Sequence, residues 1–136
     1  MENHRVESVR IAADFKKVFG YISNPMNLPK WTHAFKEASD TRATLVTPGG
    51  SLEIGLKTQS SAESGTIDWH MAMPDGKIAS AFSRVIRESP GHCVFSFVLL
   101  APPVPLEALE GTLNEQAVIL RQELVRLKGI LAGDTN

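Results

Sequence analysis

The chain has one cysteine in 136 residues, no surplus of charge of either sign, and no apolar run near the roughly 18 residues of a membrane span. Each scarcity excludes something. Cys93 cannot close an intrachain disulfide, so the core must hold the fold, and within "HCVFSFVLL" it reads as a buried, inert thiol rather than a nucleophile. The 14 Lys and Arg against 15 Asp and Glu leave a net charge of −1, no field for gathering a polyanion, and nucleic acid is not expected as a partner. The opening "MENHRVESVR" lacks a charged-then-apolar leader, so the reading is a cytosolic protein without a membrane partner. His4, His33, His70 and His92 are scattered, with no His-x-His or His-Glu-x-x-His pair, so no metal is expected. The glycines of "TPGGSLEIG" match no phosphate-cradling motif, and no cofactor is expected.

What is present suits one domain over residues 1–136, with 43% hydrophobic residues to fill a core. "HRVESVRIA" alternates as a strand does. "DFKKVFGYIS" then sets Phe15, Val18, Phe19 and Ile22 on one helical face, with Asp14 at the positive end of the dipole. Pro25 and Pro29 stop that helix and leave "NPMNLPKW" as a turn with a helical turn or two. From Thr32 to Leu100 strand-like runs alternate with "TPGG", "SAESG", "PDG" and "SPG", the spacing of an antiparallel meander. Beyond "APPVP", Leu106, Leu109, Leu113, Ala117, Leu120, Leu124, Leu127 and Leu131 recur at threes and fours, a helix of about 25 residues. Its apolar stripe needs a partner, and a curved sheet is the surface large enough.

Within the meander, "GTIDWHMAM" puts Ile67, Trp69, Met71 and Met73 on one face and Asp68 and His70 on the other. Closing "PDG" with Pro74 opposite Ile78 sets Asp68 opposite Arg84, Trp69 opposite Ser83 and Met71 opposite Ala81. The apolar set, large against small, is expected to face the long helix.

"VRIAADFKKVFGYISNPMNLPKW", "GTIDW", "SRVI" and "LRQELVRLKGIL" together resemble the START-like (SRPBCC) superfamily, in particular its polyketide cyclase/dehydrase branch. The resemblance spans the chain and implies an α+β helix-grip fold: a seven-stranded antiparallel sheet around a long C-terminal helix, with two short helices after strand one. It also implies a hydrophobic cavity for a small apolar or amphipathic ligand, and no particular reaction.

Three functions are weighed on this basis. The first is binding of a small hydrophobic or aromatic molecule, polyketide-like ones included, against Trp31, Trp69, Met71, Met73, Phe95, Phe97, Leu113, Ala117 and Leu120. His33, near the start of strand two, is the polar group expected to touch such a ligand, unless Trp31 is a core residue and His33 a surface one. The second is a cyclase or dehydratase with His33, His70 or Asp68 as acid or base and Arg84 stabilising an enolate. Against it stands the reading of Asp68 and Arg84 as an ion pair on the outer sheet face. The third is a homodimer-forming module with a closed pocket. "LLAPPVPL" and the glycines 49, 50 and 55 are expected near the cavity mouth.

Overall fold

Asp14 and Asn24 organise the first third of the computed structural model, which describes residues 3–47, 50–100 and 106–132, with 47 and 106–112 in backbone only. Strand β1 (His4–Ile11) gives way to helix α1 (Phe15–Ser23), capped by the Asp14 carboxylate, which accepts the Lys17 N–H at 2.9 Å. Asn24 ends α1 and caps a 3-10 turn (Pro25–Asn27) by accepting the Met26 N–H at 3.0 Å; helix α2 (Leu28–Trp31) follows. These are the two short helices that the resemblance implies after strand one, the first read from its apolar spacing and the second from the turn that Pro25 and Pro29 leave.

Six strands come next: β2 (Phe35–Ala38), β3 (Arg42–Thr47), β4 (Gly50–Ser61), β5 (Thr66–Ala72), β6 (Ile78–Ser89) and β7 (His92–Leu100). Helix α3 (Leu106–Ala132) completes the order. The strands form one antiparallel sheet in the order β1-β7-β6-β5-β4-β3-β2, so the first strand joins the last and the others form a meander. The sheet curls around α3, the α+β helix-grip arrangement that the sequence predicts.

Alternation decides which face is which. Ile11, Ile54, Leu56, Ile67, Trp69, Val85, Cys93 and Phe95 are buried on the inward face, and Leu120, Leu124, Leu127 and Leu131 of α3 meet them, joined by Val18 and Ile22 of α1. Each fully buried Leu or Ile contributes roughly 1.5–3 kcal/mol through the water it sheds. Polar ties fix the helix against the edge strand: Arg5 donates to Asn114 Oδ1 at 2.8 Å, and Arg121 pairs with Glu7 at 3.2 Å. No helix among the described residues is long and apolar enough to cross a membrane.

One register differs from expectation. Asp68 lies opposite Phe82, Trp69 opposite Ala81 and Met71 opposite Ala79, while Arg84 faces Thr66, so there is no Asp68–Arg84 pair. Arg84 Nε instead donates to the Ser64 carbonyl at 3.1 Å. The cause is the turn. Met73 accepts the Gly76 N–H at 2.9 Å and donates to Lys77 O at 2.9 Å, with Gly76 at φ +88°, a type I turn with Pro74 second and a glycine bulge. The loop is therefore 74–76, one residue earlier than assumed. Partners move by two residues, faces are preserved, and large side chains still oppose small ones.

The proline-bearing linker at 101–105 and residues 48 and 49, expected near a cavity mouth, lie outside the described residues. His33 lies in the connection between α2 and β2, ahead of the strand rather than in it.

Candidate functional site

The inward face of the sheet is not uniform along its length. Towards one end Ile11, Ile67, Val85, Cys93 and Phe95 are at most 2% exposed, closed over by α1 and the later turns of α3. Towards the other end Met71, Met73, Ala79, Ala81, Phe97 and Leu99, on the same inward face, are only half-buried. These inward-facing apolar side chains thus keep part of their surface accessible.

Four aromatic rings stand between the closed and open ends. Trp69 stacks on Phe97 at 5.7 Å and 24°, Phe97 meets Phe95 edge-on at 6.3 Å, Phe95 meets Trp31 edge-on at 6.2 Å, and Trp31 lies 6.4 Å from Trp69. Edge and offset contacts of this kind contribute about 0.5–1.5 kcal/mol per pair beyond area, so the cluster is a stiff wall. Trp31 is placed in it by the helical turn after Pro29, and at 1% exposure it is a core residue. On α3, Leu113, Ala117 and Leu120 are buried, and the Arg5–Asn114 bond sets this part of the helix beside β1.

Three polar atoms in the interior have no hydrogen-bond partner among the described residues: Trp31 Nε1, Trp69 Nε1 and Thr58 Oγ1. Leaving a buried donor unpaired costs about 1–3 kcal/mol. Ser83, the buried polar residue of this face, shows the alternative, since its hydroxyl donates to Ile67 O at 2.7 Å.

The ionisable candidates lie elsewhere. His70 is on the convex face, where Nε2 donates to Gln59 Oε1 at 2.9 Å, leaving Nδ1 to accept the Ser80 hydroxyl at 2.8 Å, with the Phe82 ring edge-on at 6.0 Å. Asp68 shares that face, half-buried between Gln59 and Phe82. His33 is exposed, and its backbone N–H donates to the Glu123 carboxylate. Around that contact His33, Ile119, Gln122, Glu123 and Arg126 line a cleft of about 50 Å³. Burial pushes the Glu123 carboxyl above the usual carboxylate range, against the opposite pull of the His33 N–H, the His33 charge and Arg126. A larger surface hollow of about 230 Å³ lies across β2–β4, among Glu37, Arg42 and Glu53. The fold thus gathers the apolar candidates on the concave side and brings none of His33, His70 and Asp68 to them.

Thr58 and the Glu123–His33 contact do not stand out in the sequence, whereas Ala81 and Leu99 belong to stretches that read as inward-facing or as the cavity rim. Thr58 was detectable in principle, since Leu52, Ile54, Leu56 and Thr58 share one side of an alternating strand.

No protein-family model and no curated protein matches the sequence. Solved structures do match in shape. A START superfamily protein from Mycobacterium smegmatis superposes with a TM-score of 0.68 at 13% identity, over 96% of this chain and 97% of that one. The Zhui aromatase/cyclase from Streptomyces sp. R1128 gives 0.65 at 9% identity, over 94% and 92%. Truncated norcoclaurine synthase from Thalictrum flavum gives 0.69 at 13% identity, over 97% and 94%. At such identities the likeness concerns the backbone alone, and the backbone of this chain is that of the START-like (SRPBCC) helix-grip fold.

Proposed function

We propose that the concave face binds a small hydrophobic or aromatic molecule between β5–β7 and α3. The half-buried row of Met71, Met73, Ala81, Phe97 and Leu99 carries this reading, because an inward-facing apolar surface left partly open is not needed to hold the sheet on its helix. Trp31, Trp69 and Phe95 form the back wall, and Leu113, Ala117 and Leu120 the helical side. Burial of the ligand's apolar area supplies the affinity, at about 25 cal/mol per Å². The protein acts in the cytosol, where Cys93 stays a thiol.

N-Phenyl-1-naphthylamine, a neutral aromatic dye, tests the proposal with the full chain. Its fluorescence is expected to rise on binding, and at a hundred times its Kd it raises the melting temperature by roughly 10 °C. Ala81→Phe, which fills the open row opposite Trp69, abolishes both effects while leaving the ligand-free protein folded. Absence of any shift with this dye and with a panel of neutral aromatics, together with no small molecule in the mass spectrum of the native protein, would overturn it.

A second reading, ring-forming catalysis, is favoured by the names of two structural neighbours, an aromatase/cyclase and a norcoclaurine synthase. In this chain it requires groups other than Asp68 and His70, whose side chains lie on the convex face.

A further inference from the structure

The interior of the concave face carries hydrogen-bond donors that have no partner among the described residues. Indole carries an N–H and no acceptor, and Trp31 and Trp69, 1% and 3% exposed, both leave Nε1 without a partner among the described residues. Thr58 Oγ1 is in the same condition. The three share one neighbourhood: Thr58 stands directly opposite Trp69 across β4 and β5, and the two indole rings are 6.4 Å apart. Phe95 and Phe97, the rings that meet Trp31 and Trp69, offer no acceptor side chain. Trp69 is also the ring stacked on Phe97, where the half-open apolar row begins.

Phe and Val would fill these positions without unpaired donors, so packing alone does not account for the residues chosen. We propose that the ligand of this site is a neutral aromatic carbonyl compound, a ketone or quinone, whose oxygen accepts from the Trp31 and Trp69 indoles, with the Thr58 hydroxyl as a third donor. A carboxylate is disfavoured: Ser83 is the buried polar or charged residue among the described ones, and Arg5, at the edge of the concave face, is already engaged by Glu7 and Asn114. The inference rests on the concave-face binding proposed above and adds the chemistry of its ligand.

9-Fluorenone and fluorene share a planar tricyclic skeleton and differ by the carbonyl oxygen, so titration calorimetry with the pair separates the two proposals. Fluorenone is expected to bind the wild-type chain about tenfold or more tightly than fluorene. Trp69→Phe brings the ratio close to one and leaves the fluorene Kd within about twofold, and Trp31→Phe lowers the ratio in the same way. Thr58→Val, close to isosteric, lowers it by a smaller factor and serves where an indole variant fails to fold. The fluorenone carbonyl stretch is expected at lower frequency when bound to the wild type than when bound to Trp69→Phe, where the ketone sits in an apolar site without that donor. Equal affinity for both compounds overturns the carbonyl assignment and leaves the apolar site standing. A preference that survives all three substitutions overturns the assignment to these donors. Binding of neither compound overturns the site and the inference together.

Discussion

Gly65→Ala is expected to destabilise the protein far more than Gly76→Ala, although both glycines occupy the left-handed region, at φ +77° and +88°. The backbone penalty for an L side chain, about 1–2 kcal/mol, is common to both. Around Gly76 a new Cβ meets nothing within 4 Å, whereas at Gly65 it would stand 2.3 Å from the Val85 carbonyl oxygen. That oxygen is backbone in the middle of β6 and cannot swing aside. The strand must move, and with it the 2.8 Å bond from Val85 N–H to Gly65 O and the packing of Val85, which is 2% exposed. One lost buried hydrogen bond, about 1 kcal/mol, and an overpacked core position, about 1–3, bring the Gly65→Ala total to about 3–6 kcal/mol. With a urea m-value of about 2 kcal/mol per M, the midpoint falls by roughly 1.5–3 M for Gly65→Ala and by about 0.5–1 M for Gly76→Ala. Equilibrium unfolding followed by tryptophan fluorescence reads both. Equal midpoint shifts for the two variants would refute the close-approach argument.

Glu123 and Cys93 give two further tests. Because burial raises the Glu123 pKa above its unfolded value, wild-type stability falls as pH rises from that unfolded value through the folded one. Glu123→Gln keeps an acceptor for the His33 N–H and removes this dependence, so its melting-temperature advantage over wild type should grow from pH 4 to pH 7; an advantage equal at both pH values refutes the assignment. Cys93 is 1% exposed, and burial raises its thiol pKa, helped by Asp14 and Glu88 against Arg87. Reaction with a disulfide reagent at pH 8 should be at least about a hundredfold slower in the native protein than in denaturant, and rapid native labelling would contradict the burial.

Alternation and helical spacing made the layers of this fold legible. The question of which face of "GTIDWHMAM" turns inward was answerable because Ile67, Trp69 and Met71 need burial more than Asp68 and His70 do, and the structure places them accordingly. The same holds for Leu113, Ala117, Leu120, Leu124, Leu127 and Leu131. Register was harder, since Pro74 fits the second place of its turn and so fixes Met73 as the first, a one-residue distinction that periodicity does not contain. Sites joined across distant elements were invisible for the same reason. Nothing in one-dimensional spacing sets Glu123 beside His33, 90 residues apart, or Trp31 beside Trp69. Asp68 and His70 drew attention by their chemistry, and the fold put that chemistry on the convex side of the sheet, away from the proposed ligand, while His33 was left exposed against the long helix.

The pairing of β1 with β7 carries a cost in time. His4 meets Leu100, 96 positions later, so during synthesis the amino-terminal strand has no partner until nearly the whole meander has left the ribosome. Until then its neighbours are a chaperone, solvent or another nascent chain, and the strand stays open to misassembly until β7 completes the sheet.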